Sequence, residues 1–97
     1  MPRIVRRPLA ERDLDEIWLH IAQDSPGNAD KFLDEIERVC IKLARFSNIG
    51  RNRDDLHFGI QSFPVGKYLI FYTAHENGID IIRVLHGMMD IEAIFLA

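Results

Sequence analysis

The chain has 97 residues, 47% of them hydrophobic and 28% charged, which allows one domain over residues 1–97 with a modest core and excludes a disordered chain. Its formal net charge of −3 argues against a dedicated nucleic-acid binder. The single cysteine excludes an internal disulfide, and no apolar run is long enough to span a membrane, so we expect a cytoplasmic protein.

The first predicted elements are a strand and a helix. The β-branched residues Ile4 and Val5 favour a strand over Arg3–Arg7, whose arginines are expected to be solvated on a sheet edge. Pro8 suits the first helical position, because its missing N–H costs nothing there. Apolar residues then recur at helical spacing, at Ala10, Leu14, Ile17, Trp18, Ile21 and Ala22. We expect Trp18 in the core, and we expect the opposite, polar face to carry Glu11, Asp13, Asp15, Glu16 and Gln23.

A second helix is predicted after the break at residues 24–27. Ser25, just before Pro26, has the residue type and position of an N-cap. The apolar stripe of this helix is broader than the first and includes Cys40, which predicts packing on both a helix and a sheet and a buried, unreactive thiol. Because the break is short, the two helices should form an antiparallel hairpin.

The second half of the chain is predicted to be a loop followed by strands. Ser47–Gly59 has the composition of a loop, and the hydrophobic period then changes to two. Tyr68, Ile70 and Tyr72 should share one sheet face, with Leu69 and Phe71 on the other. Glu76-Asn77-Gly78 is typical of a hairpin turn with Asn-Gly at its centre. The predicted strands are Ile60–Phe63, Tyr68–Thr73 and Ile79–Leu85, and the chain ends in a short helix or ordered tail over Ile91–Leu96.

These elements predict an α+β fold in the order β-α-α-β-β-β, with a short C-terminal extension. The helix hairpin should cover one face of a three-stranded antiparallel meander. The histidines show no metal-binding spacing and no cysteine pair supports them, so no metal site is expected. No phosphate-binding glycine pattern and no nucleophile elbow occur either, so no cofactor and no catalytic residue is assigned.

Arg83 interrupts the apolar strand Ile81–Leu85. A guanidinium in that position must reach solvent or find a partner, because burying it unpaired is costly. Two interpretations stay open at this point. Arg83 is either an edge-exposed or salt-bridged side chain, or it anchors a protein or phosphate group on an open sheet face.

Four segments of the chain resemble a known pattern. They are Gly50-Arg51 and Asp55-Leu56 in the loop, residues 59–72 (GIQSFPVGKYLIFY) and residues 82–90 (IRVLHGMMD). The first helix is similar as well, so the likeness covers nearly the whole chain. On these residues the chain resembles the ParE branch of the RelE/ParE toxin family, whose fold agrees with the order of elements above.

The resemblance implies the toxin half of a type II toxin–antitoxin pair that acts by binding rather than by catalysis. ParE-type toxins inhibit DNA gyrase, so the implied partners are gyrase, through its A subunit, and a ParD-like antitoxin that wraps its C-terminal segment around the toxin in a hetero-oligomer. Operator DNA is contacted by the antitoxin, and hence only indirectly by this chain, and no membrane is involved. The residues expected to contact partners are Arg83, His86, Asp90, Lys67, Tyr68, Ile94 and Phe95.

A RelE-like ribosome-dependent endoribonuclease is one alternative. Arg83, His86, Lys67 and Tyr68 could supply the cations, acid and base that RNA cleavage needs. However, residues 88–97 contain no His, Tyr, Lys or Arg, and RelE-type RNases tend to place such residues late in the chain.

A decayed toxin that retains only antitoxin binding is the other alternative. ParE sequences often carry arginine where this chain has Gln61 and Met89. All three hypotheses predict an exposed apolar groove that the antitoxin fills with an amphipathic helix, an added strand or both. The acidic balance of the chain predicts some basic residues in that antitoxin segment.

Overall fold

The chain begins with one strand and two helices and continues mainly as strands. In the computed structural model, which describes residues 2–97, the elements are β1 (Arg3–Arg6), α1 (Pro8–Ala22), α2 (Pro26–Arg45), a 3-10 turn (Ser47–Ile49), β2 (Arg51–Asn52), β3 (Ile60–Val65), β4 (Tyr68–His75), β5 (Gly78–His86) and α3 (Ile91–Leu96). The predicted α+β class, helix hairpin and C-terminal extension are confirmed. The additional strand β2 lies in the segment predicted to be a loop. The sequence does not indicate this strand, because two residues are too few to show an alternating hydrophobic pattern.

The five strands form one mixed sheet in the order β1-β5-β4-β3-β2. Strands β3, β4 and β5 are antiparallel neighbours, which confirms the predicted meander. Strand β1 pairs in parallel with the first part of β5, from Gly78 to Ile81, and leaves the rest of β5 without a strand on that side. As expected, β1 is an edge strand with exposed arginines.

Each face of the sheet has its own apolar core. On one face, here called the hairpin face, α1 and α2 pack against strand residues that include Ile70, Tyr72 and Ile79. On the opposite face, here called the α3 face, side chains of α3 pack against Phe71 and Leu85. The alternation predicted for β4 is thereby confirmed. Since α3 is only six residues long, it covers its face of the sheet less completely than the hairpin covers the other.

Both long helices begin where the sequence predicts. Pro8 and Pro26 lie at the helix starts, and the Ser25 Oγ caps α2 by accepting a hydrogen bond from the Asn28 N–H at 3.1 Å. The prediction that Trp18 lies in the core is wrong. Its ring is half-buried at the edge of the hairpin, because the indole N–H donates to a carboxylate oxygen of Asp30, at 2.8 Å, across the two helices. Among residues 2–97, the helices lack the combination of length and apolar character that a membrane crossing requires.

The turn between β4 and β5 differs from the prediction by one residue. His75 pairs with Gly78, so Glu76 and Asn77 are the central residues and Gly78 is the first residue of β5. Gly78 has a φ of 147°, and a Cβ added there would overlap the backbone of Arg3 in β1. The glycine is therefore required by the close approach of β1, which local turn patterns do not reveal.

Candidate partner-binding site

The residues predicted to bind partners divide between the two faces of the sheet. Lys67, Tyr68 and His86 lie together at one end, where β3 turns into β4 and β5 ends. Tyr68 and His86 are cross-strand partners, and their ring centroids are 5.1 Å apart in an edge-to-face arrangement. The Lys67 carbonyl accepts a hydrogen bond from the Gly87 N–H at 2.8 Å, which fixes the two turns against each other.

His86 is oriented by the backbone of the turn that follows it. Its Nδ1 accepts a hydrogen bond from the Met88 N–H at 3.0 Å. An acceptor at Nδ1 places the proton of the neutral ring on Nε2. In this arrangement His86 offers a partner an N–H donor, and its lone pair is already engaged.

Arg83 is held by a carboxylate from α1. Its Nε and terminal nitrogen donate to the two oxygens of Asp13 at 2.8 and 3.0 Å, a bidentate pair. The hydrogen bonds from the guanidinium to Asp13 raise the pKa of Arg83. Of the two interpretations left open by the sequence, the structure shows the salt-bridged one. The positive charge of Arg83 is compensated within the fold.

Asp13 corrects a sequence-based expectation. We expected it on the exposed face of α1, but it is 6% exposed. Its carboxylate also accepts the Val84 N–H at 3.0 Å, on the stretch of β5 that β1 leaves unpaired. Asp13 thus accepts a backbone hydrogen bond from β5 that a neighbouring strand would otherwise accept, and it also neutralises the charge of Arg83.

A β-bulge in β5 places the side chains around Arg83. Phe71 pairs with Arg83, but the next residue of β4, Tyr72, pairs with Ile81, so Ile82 is the extra residue. Because of this shift, Ile81 and Val84 both join the core of the hairpin face. Ile82 points to the α3 face, where it lines a groove.

Asp90, Ile94 and Phe95 belong to the α3 face. The Asp90 side chain caps α3 by accepting the Ala93 N–H at 3.1 Å. Ile94 and Phe95 pack on the core of this face, where the rings of Phe95 and Phe71 are 4.9 Å apart. A ring nitrogen of His57 lies 3.3 Å from the Phe95 carbonyl oxygen and ties α3 to the loop before β3.

A groove of about 470 Å³ runs along the α3 face beside α3. We call it the Leu9 groove, and it is lined by Arg7, Pro8, Leu9, His57, Ile60, Ile82, Arg83, Ile94 and Phe95. Leu9, at the start of α1, is 49% exposed and offers an apolar wall with no cover from the chain itself. Of the lining residues, Arg83, Ile94 and Phe95 are predicted from the sequence, whereas Leu9, Ile82, His57 and Ile60 are not. The Ile81-Ile82 doublet was a signal, since alternation allows only one of the pair to face the hairpin.

Both guanidinium groups at the groove have carboxylate partners. Arg83 is paired with Asp13, and Arg7 lies 3.2 Å from an Asp80 oxygen. The rim is therefore close to neutral, and the apolar residues between the two arginines set the character of the groove.

The two positions where the chain departs from the ParE pattern lie outside the Leu9 groove. Gln61 is on the hairpin face, where its amide oxygen is 3.2 Å from the Tyr72 hydroxyl. That hydroxyl donates to the Ser47 carbonyl at 2.8 Å and accepts the Gly50 N–H at 3.0 Å, and burial raises the pKa of Tyr72. Met89 is half-exposed in the turn before α3. Neither departure alters the apolar lining of the groove.

The buried cysteine and the metal-binding residue types add no further site. Cys40 is 3% exposed, as predicted, and burial raises the pKa of its thiol to about 11. Within residues 2–97, no group of three or more His, Cys, Asp or Glu side chains is arranged to hold a metal ion.

Comparison with known proteins places this chain in one family, through matches that cover most of its length. The family model described as "ParE toxin of type II toxin-antitoxin system, parDE" matches residues 4–91. The chain is 30% identical to "Toxin ParE3" of Caulobacter vibrioides over 94 residues, 96% of this chain and 94% of that protein. It is 32% identical to "Toxin ParE1" of Mycobacterium tuberculosis over 93 residues, 93% of this chain and 94% of that protein.

A solved structure supports the same assignment at the level of the fold. A chain of "Chromosomal ParDE TA system from P. aeruginosa" superposes with a TM-score of 0.73, at 21% identity, over 89% of this chain and 96% of its own. Together with the match over residues 4–91, these likenesses show that the chain belongs to the ParE toxin family of type II toxin–antitoxin systems.

Proposed function

We propose that this chain is a toxin that a ParD-like antitoxin neutralises by filling the Leu9 groove, and that the free chain inhibits DNA gyrase by binding to it. The observation that carries the proposal is the open apolar groove on a sheet face that α3 covers only in part. Apolar grooves beside a sheet accept an amphipathic helix or an extended segment, which are the forms in which a wrapping antitoxin meets its toxin.

The charges around the groove indicate how the antitoxin segment gains affinity. Arg7 and Arg83 are already paired with Asp80 and Asp13, so a segment in the groove would gain little by offering them new carboxylates. Burial of Leu9 and Ile82 under apolar side chains of the antitoxin supplies most of the affinity instead. Basic residues of the antitoxin, expected from the net charge of −3, would lie outside the groove, against the acidic surface.

The geometry supports binding over RNA cleavage as the mode of action. In the set Arg83, His86, Lys67 and Tyr68, the guanidinium of Arg83 is neutralised by Asp13 and the Nδ1 of His86 is occupied by the Met88 N–H. A general base needs a free lone pair, and phosphate stabilisation needs uncompensated cations. The set meets neither requirement at these two positions.

Gyrase as the target rests on membership of the ParE family. In this proposal the chain traps the gyrase–DNA complex, through the A subunit, without making or breaking a bond itself. The antitoxin contacts operator DNA, the chain reaches DNA only through it, and both act in the cytoplasm as a hetero-oligomer.

The groove assignment predicts a matched pair of variants on α1. Leu9→Glu places a charge on the apolar wall of the groove, whereas Leu19→Glu makes the same change at a 61% exposed position of the same helix that does not line it. We expect Leu9→Glu to weaken binding of the antitoxin encoded beside the gene by about tenfold or more, and Leu19→Glu to leave it unchanged. Isothermal titration of purified toxin with that antitoxin measures the difference.

Growth of cells that express each variant tests the same assignment in vivo. The wild-type chain and both variants should arrest growth, and coexpressed antitoxin should rescue every strain except the one with Leu9→Glu. Rescue of Leu9→Glu to the same extent as Leu19→Glu would place the antitoxin elsewhere. A wild-type chain that binds the antitoxin but does not arrest growth would identify the decayed toxin.

A further inference from the structure

Phe58 is an aromatic side chain that the fold leaves uncovered. It is 93% exposed, the largest value among the exposed large hydrophobic residues of the described chain. It belongs to neither of the two cores and does not line the Leu9 groove. Phenylalanine removes a large apolar area from water when a partner covers it, and aromatic residues are enriched at protein interfaces. Burial of this side chain by a partner would therefore favour binding, and the side chain does not contribute to either core of this fold.

The loop that carries Phe58 is fixed by hydrogen bonds that join Asn52, Asp54 and Gly59. The Asp54 N–H donates to the side-chain oxygen of Asn52 at 2.9 Å, and the Gly59 N–H donates to the Asp54 carboxylate at 2.8 Å. Gly59 has a φ of 85°, a conformation that glycine adopts without strain. These contacts close residues 53–59, here called the 53–59 loop, into a defined turn.

The same loop is attached to the sheet at several points. The Arg53 N–H donates to the Ile60 carbonyl at 2.8 Å, and its guanidinium forms a fork with the Asp55 carboxylate at 3.1 and 3.0 Å. Leu56 is 3% exposed and lies in the core of the α3 face. A loop anchored on both sides of Phe58 holds the backbone of that residue in place, so binding would order little more than the torsions of its side chain.

The shape of this feature decides which partner it fits. A single ring that projects from a rigid loop is convex, and it needs a concave apolar pocket built by a folded protein. The wrapping segment of an antitoxin is a helix or extended peptide, so it fills grooves and has no preformed pocket of its own. The Leu9 groove therefore fits the antitoxin, and Phe58 fits a folded target.

We propose that Phe58 is the anchor by which this chain enters an apolar pocket of its folded target protein, at a surface separate from the Leu9 groove. The inference rests on the proposed function, because it names the residue with which the same toxin contacts its target. The 53–59 loop borders the groove through His57, so the target surface and the antitoxin surface are neighbours without being the same.

Phe58→Ala tests the inference, with Leu19→Ala as the matched control at another exposed apolar position. Purified wild type and both variants are titrated into gyrase supercoiling reactions and into the antitoxin, and their melting temperatures are compared. We expect Phe58→Ala to raise the concentration for half-inhibition of gyrase by about tenfold or more, as loss of an interface anchor does. Leu19→Ala should inhibit like the wild type, and all three proteins should melt alike and bind the antitoxin equally.

Each result separates the inference from the proposed function. Equal inhibition by wild type and Phe58→Ala overturns the inference and leaves the gyrase proposal standing. Loss of antitoxin binding in Phe58→Ala also overturns the inference, because it assigns the ring to the antitoxin interface. If the wild type does not inhibit gyrase, the proposed target is wrong, and growth arrest by the three proteins then tests the inference. Arrest that is lost in Phe58→Ala but kept in Leu19→Ala supports Phe58 as the anchor. Equal arrest in all strains, or no arrest in any strain, overturns the inference.

Discussion

Asp13→Ala is expected to lower the free energy of unfolding by about 3 kcal/mol, a large fraction of the stability of a domain of this size. The substitution leaves the Arg83 guanidinium without its partner and the Val84 N–H without an acceptor. The cost falls at the lower end of the range for broken buried ion pairs, because the Arg83 side chain is 22% exposed and water can reach it. Urea denaturation measures the change.

Two further variants make the Asp13 result specific. Glu16→Ala changes an exposed acidic residue of the same helix and should alter stability by less than about 0.5 kcal/mol. Arg83→Met in the Asp13→Ala background removes the stranded charge and should restore part of the loss. If Asp13→Ala lowered the free energy of unfolding by less than about 1 kcal/mol, the ion pair would contribute little to the packing of α1 on β5.

Gly78→Ala should lower the free energy of unfolding by about 2–4 kcal/mol, from the strain of its backbone conformation and from overlap with β1. The new Cβ would meet backbone atoms of Arg3, which cannot move aside as a flexible side chain can. Strand β1 must therefore shift away from β5, and with it the start of α1 and the Leu9 wall of the groove. Urea denaturation should show the lower free energy of unfolding, and titration with the antitoxin should show weaker binding.

Gly27→Ala is the matched control, because the same chemical change is made where the backbone is helical. The nearest atom to a Cβ at Gly27 is the Ser25 Oγ at 3.9 Å, so nothing needs to move. The free energy of unfolding of this variant should rise by about 0.4–1 kcal/mol, since alanine restricts the unfolded chain more than glycine does. Equal stability of the two alanine variants would contradict the close approach of β1 to Gly78.

The elements with a strong hydrophobic period could be predicted from the sequence, and the contacts between them could not. The Ser25 cap and the alternation in β4 are local patterns that the structure confirms, and so are Ala10, Leu14, Ile17 and Ile21 of the α1 stripe. The pairing of β1 with β5 joins residues far apart in the chain, so no local pattern indicates it. For the same reason the turn pattern at Asn77-Gly78 does not indicate that β1 requires glycine at position 78.

Asp13 and Trp18 show how tertiary contacts override a helical pattern. On α1, Asp13 belongs by type to the polar face, yet Arg83 and the unpaired edge of β5 make its burial favourable. Trp18 belongs by type to the core, yet its N–H is satisfied by Asp30 at the edge of the hairpin. An arginine in an apolar strand indicates that the guanidinium must reach solvent or find a partner, but the sequence does not identify Asp13 as that partner.

The candidate site was predictable only in part. Arg83, Ile94 and Phe95 line the groove, while Lys67, Tyr68 and His86 lie together at the end of β5, and their role as target contacts stays a prediction. The bulge at Ile82 sends that side chain into the groove, and alternation alone does not place a bulge. Phe58 gave no signal at all, because the exposure of a loop residue depends on where the loop is anchored.

Inhibition of gyrase is tested by a supercoiling assay with the purified, folded chain, scored for both lost supercoiling and trapped cleaved DNA. We expect the free chain to inhibit supercoiling and to accumulate cleaved DNA, and we expect the antitoxin encoded beside its gene to reverse both effects. A chain that melts cooperatively, binds that antitoxin and leaves gyrase unaffected would contradict this expectation. Ribosome-dependent cleavage of RNA by the same preparation would then favour the RelE-like mode of action.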